Sequence, residues 1–597
     1  MKNGDDLTNP SRRAILTSSA ALVGASVVPQ AQANAHSELP QNNTAAAPEL
    51  PPQGYNILFI LVDQERFFPK WPFPVPAREW LKKNGVTFNN HQIGASVCSP
   101  ARSVIYTGQH IQHTGVFDLM NYLWQPDMST KVRTVGDRLQ QLGYYPVYQG
   151  KWHLSYNLDQ AKRPFEAPVQ EYRKILESYG FKDFFGYGDI IDKELGGYRY
   201  DADTASIAIT WMRTEGEKLR AEGKPWFMAV NFVNPHDVMY IDADLPGRPV
   251  QGKKHALGIA PPPDDEIYSA SWDGVPLPST RSQPLDAPGR PEAHKIYGDI
   301  QYLFSGEWPD EDRRWRLLQN YYFNCIRDCD RRVMRVLEAL KAHRLDKNTI
   351  VIFTSDHGEY GGCHQMRGKG NSAYRQQNHV PLMIYHPAYP GGVECNAVTS
   401  QIDLAPTILG LTGLDQEKIK QASEGLKGRD ISVLLRSPAT AKEDTLRSGA
   451  LFCFDMLLFQ DVFWIANLYD FMESAKVPDK KKIKVLKQKE PDFHHRVSMR
   501  SVFDGRYRFS RYFSPLQFNT PTTMEELLAR NDLELFDHNS DPEEVENLAM
   551  KPKERGELIM ALNAKLNTLV ANEVGVDDGS FLPIRNGKWR FPPKSER

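Results

Sequence analysis

Cys98, Ser99, Pro100, Ala101 and Arg102, followed by Thr107 and Gly108, combine a thiol, a helix start and a fixed cation within one short stretch. Proline suits the first turn of a helix and glycine its end, so Cys98 is expected at a helix N-terminus. Backbone N–H groups and the helix dipole favour an anion there, and Arg102 adds a bidentate donor. Such a place can hold a tetrahedral oxyanion. Further polar, titratable groups each follow a short apolar run: Asp63 and Gln64, Lys151 and His153, His236, and Asp356 with His357. Taken singly, each histidine reads as a structural hydrogen-bonding residue. Their shared placement argues for chemistry.

The runs that must position these groups are Ile57–Val62, Tyr144–Tyr148, Trp226–Phe232, Ile350–Thr354 and Val380–Tyr385. Each is short and rich in β-branched or aromatic residues, as buried strands are. Helical patterns lie between them, such as Val135–Leu142 and Trp315–His343, which implies an α/β fold. A large domain with a mostly parallel central sheet flanked by helices is expected over residues 55–440. In such sheets ligands bind beyond the carboxyl ends of the strands, where these side chains stand.

Residues 237–294 form a long insertion rich in Pro, Gly and Asp, expected to cover the site and to supply specificity. Residues 441–597 change character. Gly449–Met456 and Arg506–Phe513 read as strands, and a closing helix is expected over Pro552–Asn572. A smaller C-terminal α+β domain with an antiparallel sheet follows.

The chain has 597 residues, with 72 Lys and Arg against 74 Asp and Glu and 41% hydrophobic residues. That balance describes a globular protein without a strong overall field, and it gives no sign of a nucleic-acid partner. The run Lys480–Lys484 reads as solvated surface. Arg12 and Arg13, the apolar stretch Ala20–Val28 and the small residues Ala31, Ala33 and Ala35 have the order of an export signal over residues 1–35. The paired arginines resemble a twin-arginine signal, so a periplasmic or secreted protein that uses that export machinery is expected. The apolar stretch is shorter than the ~20 residues that span a bilayer, so no stable membrane insertion is expected. Residues 36–54 read as a linker. Six cysteines, Cys98, Cys325, Cys329, Cys363, Cys395 and Cys453, show neither a C-x-x-C pair nor a zinc pattern. Cys325 and Cys329 read as buried core residues.

The motif from Cys98 to Gly108 resembles C-x-P-[SA]-R-x-x-x-x-T-G of the sulfatase family, whose cysteine is oxidised to formylglycine (3-oxoalanine). Gly150–His153 is similar to the family's G-K-W-H segment, Asn234–His236 to its P-H motif and Ser355–Glu359 to its S-D-H-G-E segment. Lys369, the Tyr374–Leu382 stretch, Asp403–Leu409 and Leu535–Leu548 extend the resemblance over roughly Tyr55–Ala549. It implies hydrolysis of sulfate esters to alcohol and inorganic sulfate, after action of a formylglycine-generating enzyme. One geminal hydroxyl of the hydrated aldehyde would attack sulfur, and the second would expel sulfate by reforming the aldehyde.

The resemblance also implies one divalent metal between Asp63, Gln64, Asp356, His357 and modified Cys98. Mostly oxygen ligands favour Ca²⁺, with Mg²⁺ also a candidate, whereas the imidazole suits Mn²⁺ or Zn²⁺ better. Many relatives have Asp at the Gln64 position and Asn at the His357 position, so this site is less negative than theirs. Arg102, Lys151 and Lys369 would neutralise charge, and His153 and His236 would transfer protons or bind the leaving oxygen. His364 and His379 are read as structural, and His494 and His495 receive no role. Relatives that hydrolyse phosphonate monoesters or phosphodiesters share Asp-Gln and Asp-His at the metal but usually lack G-K-W-H. That activity is the first alternative, and a noncatalytic anion-binding protein the second.

Overall fold

The computed structural model describes residues 54–590 apart from 123, 159–168, 187, 191–192, 252–257 and 474–489. The expected export signal, nearly all of the linker, and Lys480–Lys484 lie outside the described residues. Every described residue belongs to one compact unit, 50–597.

Seven strands form the main sheet: β1 (Asn56–Asp63), β2 (Val86–Gln92), β3 (Tyr145–Gly150), β4 (Trp226–Pro235), β5 (Thr349–Ser355), β6 (Leu382–Tyr385) and β7 (Val393–Ser400). All eight residues of β1 are buried. Because strand side chains alternate in direction, Ile57, Phe59 and Leu61 enter one core while Leu58, Ile60 and Val62 enter another. A strand apolar on both faces needs a helical layer on each. Helices Val135–Gln141 and Leu404–Gly410 supply one, through Leu139, Leu404 and Ile408. Helices Gly196–Trp211 and Asp312–Ala342 supply the other, through Ala205, Ala208, Val333 and Val336.

The strand order is β3-β4-β1-β5-β6-β2-β7. All pairs are parallel except the two made by β6. The expected mostly parallel sheet is therefore present, with one reversed strand inside it. That reversal matters for the site. A strand running backwards starts where its neighbours end, so residues 356–381, which join β5 to β6, stay on the carboxyl edge. β2 and β7 were not expected, and β2 leads directly into the helix Cys98–Thr107.

After residue 440, β8 (Ala450–Phe454), β9 (Ser498–Phe503), β10 (Tyr507–Phe513) and β11 (Asp532–Asp537) form an antiparallel sheet ordered β11-β10-β9-β8. Helix Pro552–Glu573 covers it with Ile559, Leu562, Leu566 and Val570. The insertion is packed rather than loose. Tyr268, Trp272 and Val275 lie in one cluster with Trp315, Leu318 and Tyr322 of the long helix, and a helix, Glu292–Ser305, begins within its last residues. All six cysteines are free and buried, as the reading of Cys325 and Cys329 anticipated. Among the described residues no helix is long and apolar enough to cross a membrane.

Candidate active site

The carboxyl edge of β3, β4, β1 and β5 collects the expected residues. In register, Gly150 of β3 lies beside Asn231 of β4, Asp63 of β1 beside Pro235 and Val62 beside Ser355 of β5, so the strand ends finish together. Gly150 has φ +88°, and a Cβ there would stand 2.0 Å from the Asn231 carbonyl oxygen. Only glycine allows the chain to turn here and present Lys151. Cys98 begins a helix in which all ten residues are buried, ended by Gly108 at φ +65°.

Cys98 Sγ sits 2.8 Å from Lys369 Nζ, 3.2 Å from His357 Nε2, 3.6 Å from Asp63 Oδ1 and 3.8 Å from Lys151 Nζ. Lys151 Nζ is 2.8 Å from Asp63 Oδ2. Lys369 arrives on the return segment to β6 and also donates to Gln64 Oε1 at 2.8 Å. Arg102 is placed differently from its expected role at the nucleophile. Its guanidinium donates to Asp63 Oδ2 at 3.1 Å, Asp356 Oδ2 at 3.0 Å and the Lys151 carbonyl at 2.6 Å. It thus ties the two carboxylates to the Lys151 turn.

Burial alone would raise the Asp63 carboxyl, but Lys151 and Lys369, with Arg102 behind them, hold it well below the ordinary range. Asp356, raised by burial and then by the Asp63 charge, reaches about 7. Burial and next Asp63 push the Cys98 thiol up to about 11, so an unmodified Cys98 thiol keeps its proton at neutral pH. Burial and then the lysine charges lower His153, His236 and His357 well below the usual imidazole range. They are neutral here, each able to give one hydrogen bond and accept another.

The donor set fits a dication. Ligand atoms of Asp63, Cys98, Asp356 and His357 all lie within 4.8 Å of one another. His357 Nδ1 is 3.0 Å from the Gly358 carbonyl, which assigns the proton to Nδ1 and leaves the Nε2 lone pair facing the cluster. Gln64 joins through its amide: Glu359 accepts from Nε2 at 2.5 Å, so the carbonyl oxygen faces Lys369.

His153 is buried, and neither ring nitrogen has a partner among the described residues. His236 follows β4 and is buried nearby in the same field of charges. His364 stacks on Tyr374 at 3.7 Å and His379 on Phe67 at 4.1 Å, consistent with packing roles. His494 is exposed and paired with Asp492, away from this cluster's contacts. Three residues were not foreseen. Asn231 Oδ1 accepts from Arg102 at 3.4 Å and Tyr106 at 2.5 Å, and Gln401 Nε2 donates to the Asp356 carbonyl at 2.6 Å. Asp189 accepts from the backbone N–H groups of Trp152 and His153 at 3.0 and 2.5 Å, fixing the turn between Lys151 and His153. Nothing about their local sequence separates them from ordinary polar residues.

Among known proteins, the ulvan-active sulfatase of Formosa agariphila is 26% identical over 393 residues, which are 64% of this chain and 65% of that one. This chain thus spans just under two thirds of that relative's length. Solved structures share the fold: a 2-O GAG sulfatase superposes with a TM-score of 0.57 at 18% identity, covering 87% of this chain and 93% of that one. The phosphonate monoester hydrolase of Agrobacterium radiobacter gives 0.56 at 20% identity, covering 87% and 96%. Residues 55–414, more than half of the chain, match the sulfatase family model and contain every residue of the cluster around Cys98, so the chain belongs to the sulfatase family.

Proposed function

We propose that this protein hydrolyses sulfate esters to alcohol and inorganic sulfate, with Cys98 oxidised to formylglycine by a formylglycine-generating enzyme and one divalent cation at the site. The observation that carries this reading is the position of Cys98 Sγ, held between Lys369 at 2.8 Å and His357 at 3.2 Å. The hydrated aldehyde supplies a hydroxyl nucleophile and, through its second hydroxyl, a way to release sulfate without attack by water. A cation there would supply charge stabilisation, and Asp63, Gln64, Asp356, His357 and the modified side chain would hold it, with Ca²⁺ the first choice for so many oxygens.

Within that frame Lys369 and Lys151, both largely buried, stabilise negative charge on the nucleophile and on the sulfate oxygens. Arg102 holds Asp63 and Asp356 in place through its guanidinium. Neutral His153, with both nitrogens uncommitted, is a donor toward a sulfate or leaving-group oxygen, and His236 is the second candidate for that proton. The segment that resembles a twin-arginine signal supports a periplasmic or secreted location. Fractionating cells that express the full chain, with Arg12 and Arg13 both changed to Lys, tests it: retention of the variant inside supports export by that route.

The metal-site residues Asp63-Gln64 and Asp356-His357 favour a second reading, hydrolysis of phosphonate monoesters or phosphodiesters. One experiment separates the possibilities. Protein coexpressed with a formylglycine-generating enzyme is assayed on matched 4-nitrophenyl sulfate and phenylphosphonate esters, and the Cys98 peptide is weighed after alkylation. An aldehyde mass with a sulfate preference supports the proposal. A phosphonate preference moves the assignment to the second reading, and a fully alkylated Cys98 moves it to a noncatalytic anion-binding protein.

A further inference from the structure

Gln64 is held from four sides. Its φ is +76°, a left-handed conformation that residues other than glycine rarely adopt. Its N–H donates to Asp356 Oδ1 at 3.1 Å, and its carbonyl accepts from the Tyr322 hydroxyl at 3.0 Å. In the side chain, Oε1 accepts from Lys369 Nζ at 2.8 Å and Nε2 donates to Glu359 Oε2. Strained backbone persists where its surroundings over-determine it, as these four contacts do. The last two also decide which way the amide faces. An ammonium only donates and a carboxylate only accepts, so oxygen toward Lys369 and nitrogen toward Glu359 is the one arrangement that satisfies both.

Glu359 is fully buried and has a second task. Residues 360–368 double back, with Tyr360 N donating to the Gly368 carbonyl at 3.0 Å and Gly362 N to the Met366 carbonyl at 2.8 Å. At the mouth of that turn Glu359 Oε1 accepts from Gly361 N at 2.9 Å and from Gly368 N at 2.6 Å. Gly368 immediately precedes Lys369, so the contacts close a ring. Glu359 holds Gln64, Gln64 holds Lys369, and the backbone beside Lys369 returns to Glu359. On the other flank Gly370 N donates to Gln377 Oε1 at 2.6 Å, which ties the lysine's backbone on both sides. The ring borders the nucleophile, because Lys369 Nζ is also 2.8 Å from Cys98 Sγ.

We propose that Glu359 is a positioning residue that turns the Gln64 amide oxygen toward the cation site and sets Lys369 against Cys98. The inference rests on the cation of the reading above and adds the group that orients one of its ligands. Glu359 acts through Gln64 and Lys369 rather than on Cys98 itself. A neutral amide in its place cannot do both tasks, since Glu359→Gln leaves one oxygen for three donors. With that oxygen kept by the two glycine N–H groups, the new NH₂ meets the NH₂ of Gln64. Gln64 then has to turn over and set its nitrogen toward Lys369 and the cation site.

The test titrates the full chain, stripped with a chelator, with Ca²⁺ by calorimetry. Glu359→Gln should weaken binding about 10- to 100-fold, the scale of losing a group that orients a metal ligand. In a Gln64→Glu background a carboxylate offers oxygen on either face, and the new amide can donate to it, so the same change should cause no weakening. Equal losses in both backgrounds, or no loss in the Gln64 background, overturn the proposal. A second measurement reads the amide without metal. In protein labelled with ¹⁵N-glutamine, one Gln64 Nε2 proton, identified by its absence from Gln64→Glu, should resonate downfield, as a proton donated to a carboxylate does, and should lose that shift in Glu359→Gln. An unshifted proton in the wild type overturns the proposal even where Glu359→Gln fails to fold. If the wild type binds neither Ca²⁺ nor Mn²⁺, the cation of the earlier reading fails and the proton shift alone decides the positioning. If Ca²⁺ binds and both backgrounds lose equally, the positioning alone fails.

Discussion

Raising the pH should loosen the joint between the C-terminal helix and the turn that follows the Cys98 helix. His110 Nε2 lies 2.9 Å from Glu573 Oε2, and Arg447 Nη2 donates to Glu573 Oε1 at 2.6 Å. Burial alone would drive the proton off His110, but the neighbouring Cys453 sulfur and the Glu573 carboxylate outweigh it and raise the pKa from 6.5 to about 9. A folded-state pKa above the unfolded value gives stability that is fully present below 6.5 and is lost as pH rises through about 9. At 1.36 kcal/mol per pH unit the shift corresponds to about 3 kcal/mol. The perturbation is His110→Gln, which keeps a hydrogen-bonding side chain but cannot take up the proton. Urea unfolding of wild type and variant between about pH 6 and pH 10 isolates this group, because all other titrations cancel in the difference. The wild type should be more stable by about 3 kcal/mol near pH 6, and the gap should close near pH 10. A gap that stays constant across the range would refute the assignment.

Arg102→Lys replaces a fork that spans two buried carboxylates with a point charge; a melting and denaturation series should show a loss of about 3 kcal/mol, and turnover of an aryl sulfate should fall at least about 100-fold. A stable, active variant would contradict the bridging role. Gly150→Ala forces a Cβ toward the Asn231 carbonyl at positive φ, and destabilisation of about 2 kcal/mol or more in the same assay is expected. Dialysis against a chelator should lower both the melting temperature and the turnover, and adding back Ca²⁺, Mn²⁺ or Mg²⁺ singly should rank the metals by recovery. No change in melting would remove the metal from this cluster.

The strands that carry the site were legible because β1, β4 and β5 are apolar on both faces. β2 and β7 were not, because Asn89 and Asn90 of β2 bond to Glu394 and Asn396 across the edge of the sheet and so read as loop. Periodicity carries no direction, so the reversal of β6 was hidden, although it explains why Lys369 reaches the same edge. The Cys98 helix was readable to its glycine stop, since Pro100 and Gly108 act locally. Asn231 and Asp189 escaped notice because their importance lies in groups distant in the chain: Arg102 for one, the backbone of a positive-φ turn for the other. Arg102 was singled out by its spacing from Cys98. Its bridging of two carboxylates from different strands could be seen only in the fold.

The complete enclosure of the Cys98 helix bears on when this protein acquires competence. Cys98 is 1% exposed and every residue to Thr107 is buried, so another enzyme could reach that thiol only after the segment came free of its surroundings. Freeing a core segment requires an opening with a free energy approaching that of global unfolding. The proposed oxidation is therefore a step for the nascent chain, before the sheet closes over the thiol. On that proposal each molecule would be committed once, and a chain that folded unmodified would keep its thiol. The active fraction of a population would record conditions during synthesis rather than those in which the mature protein works.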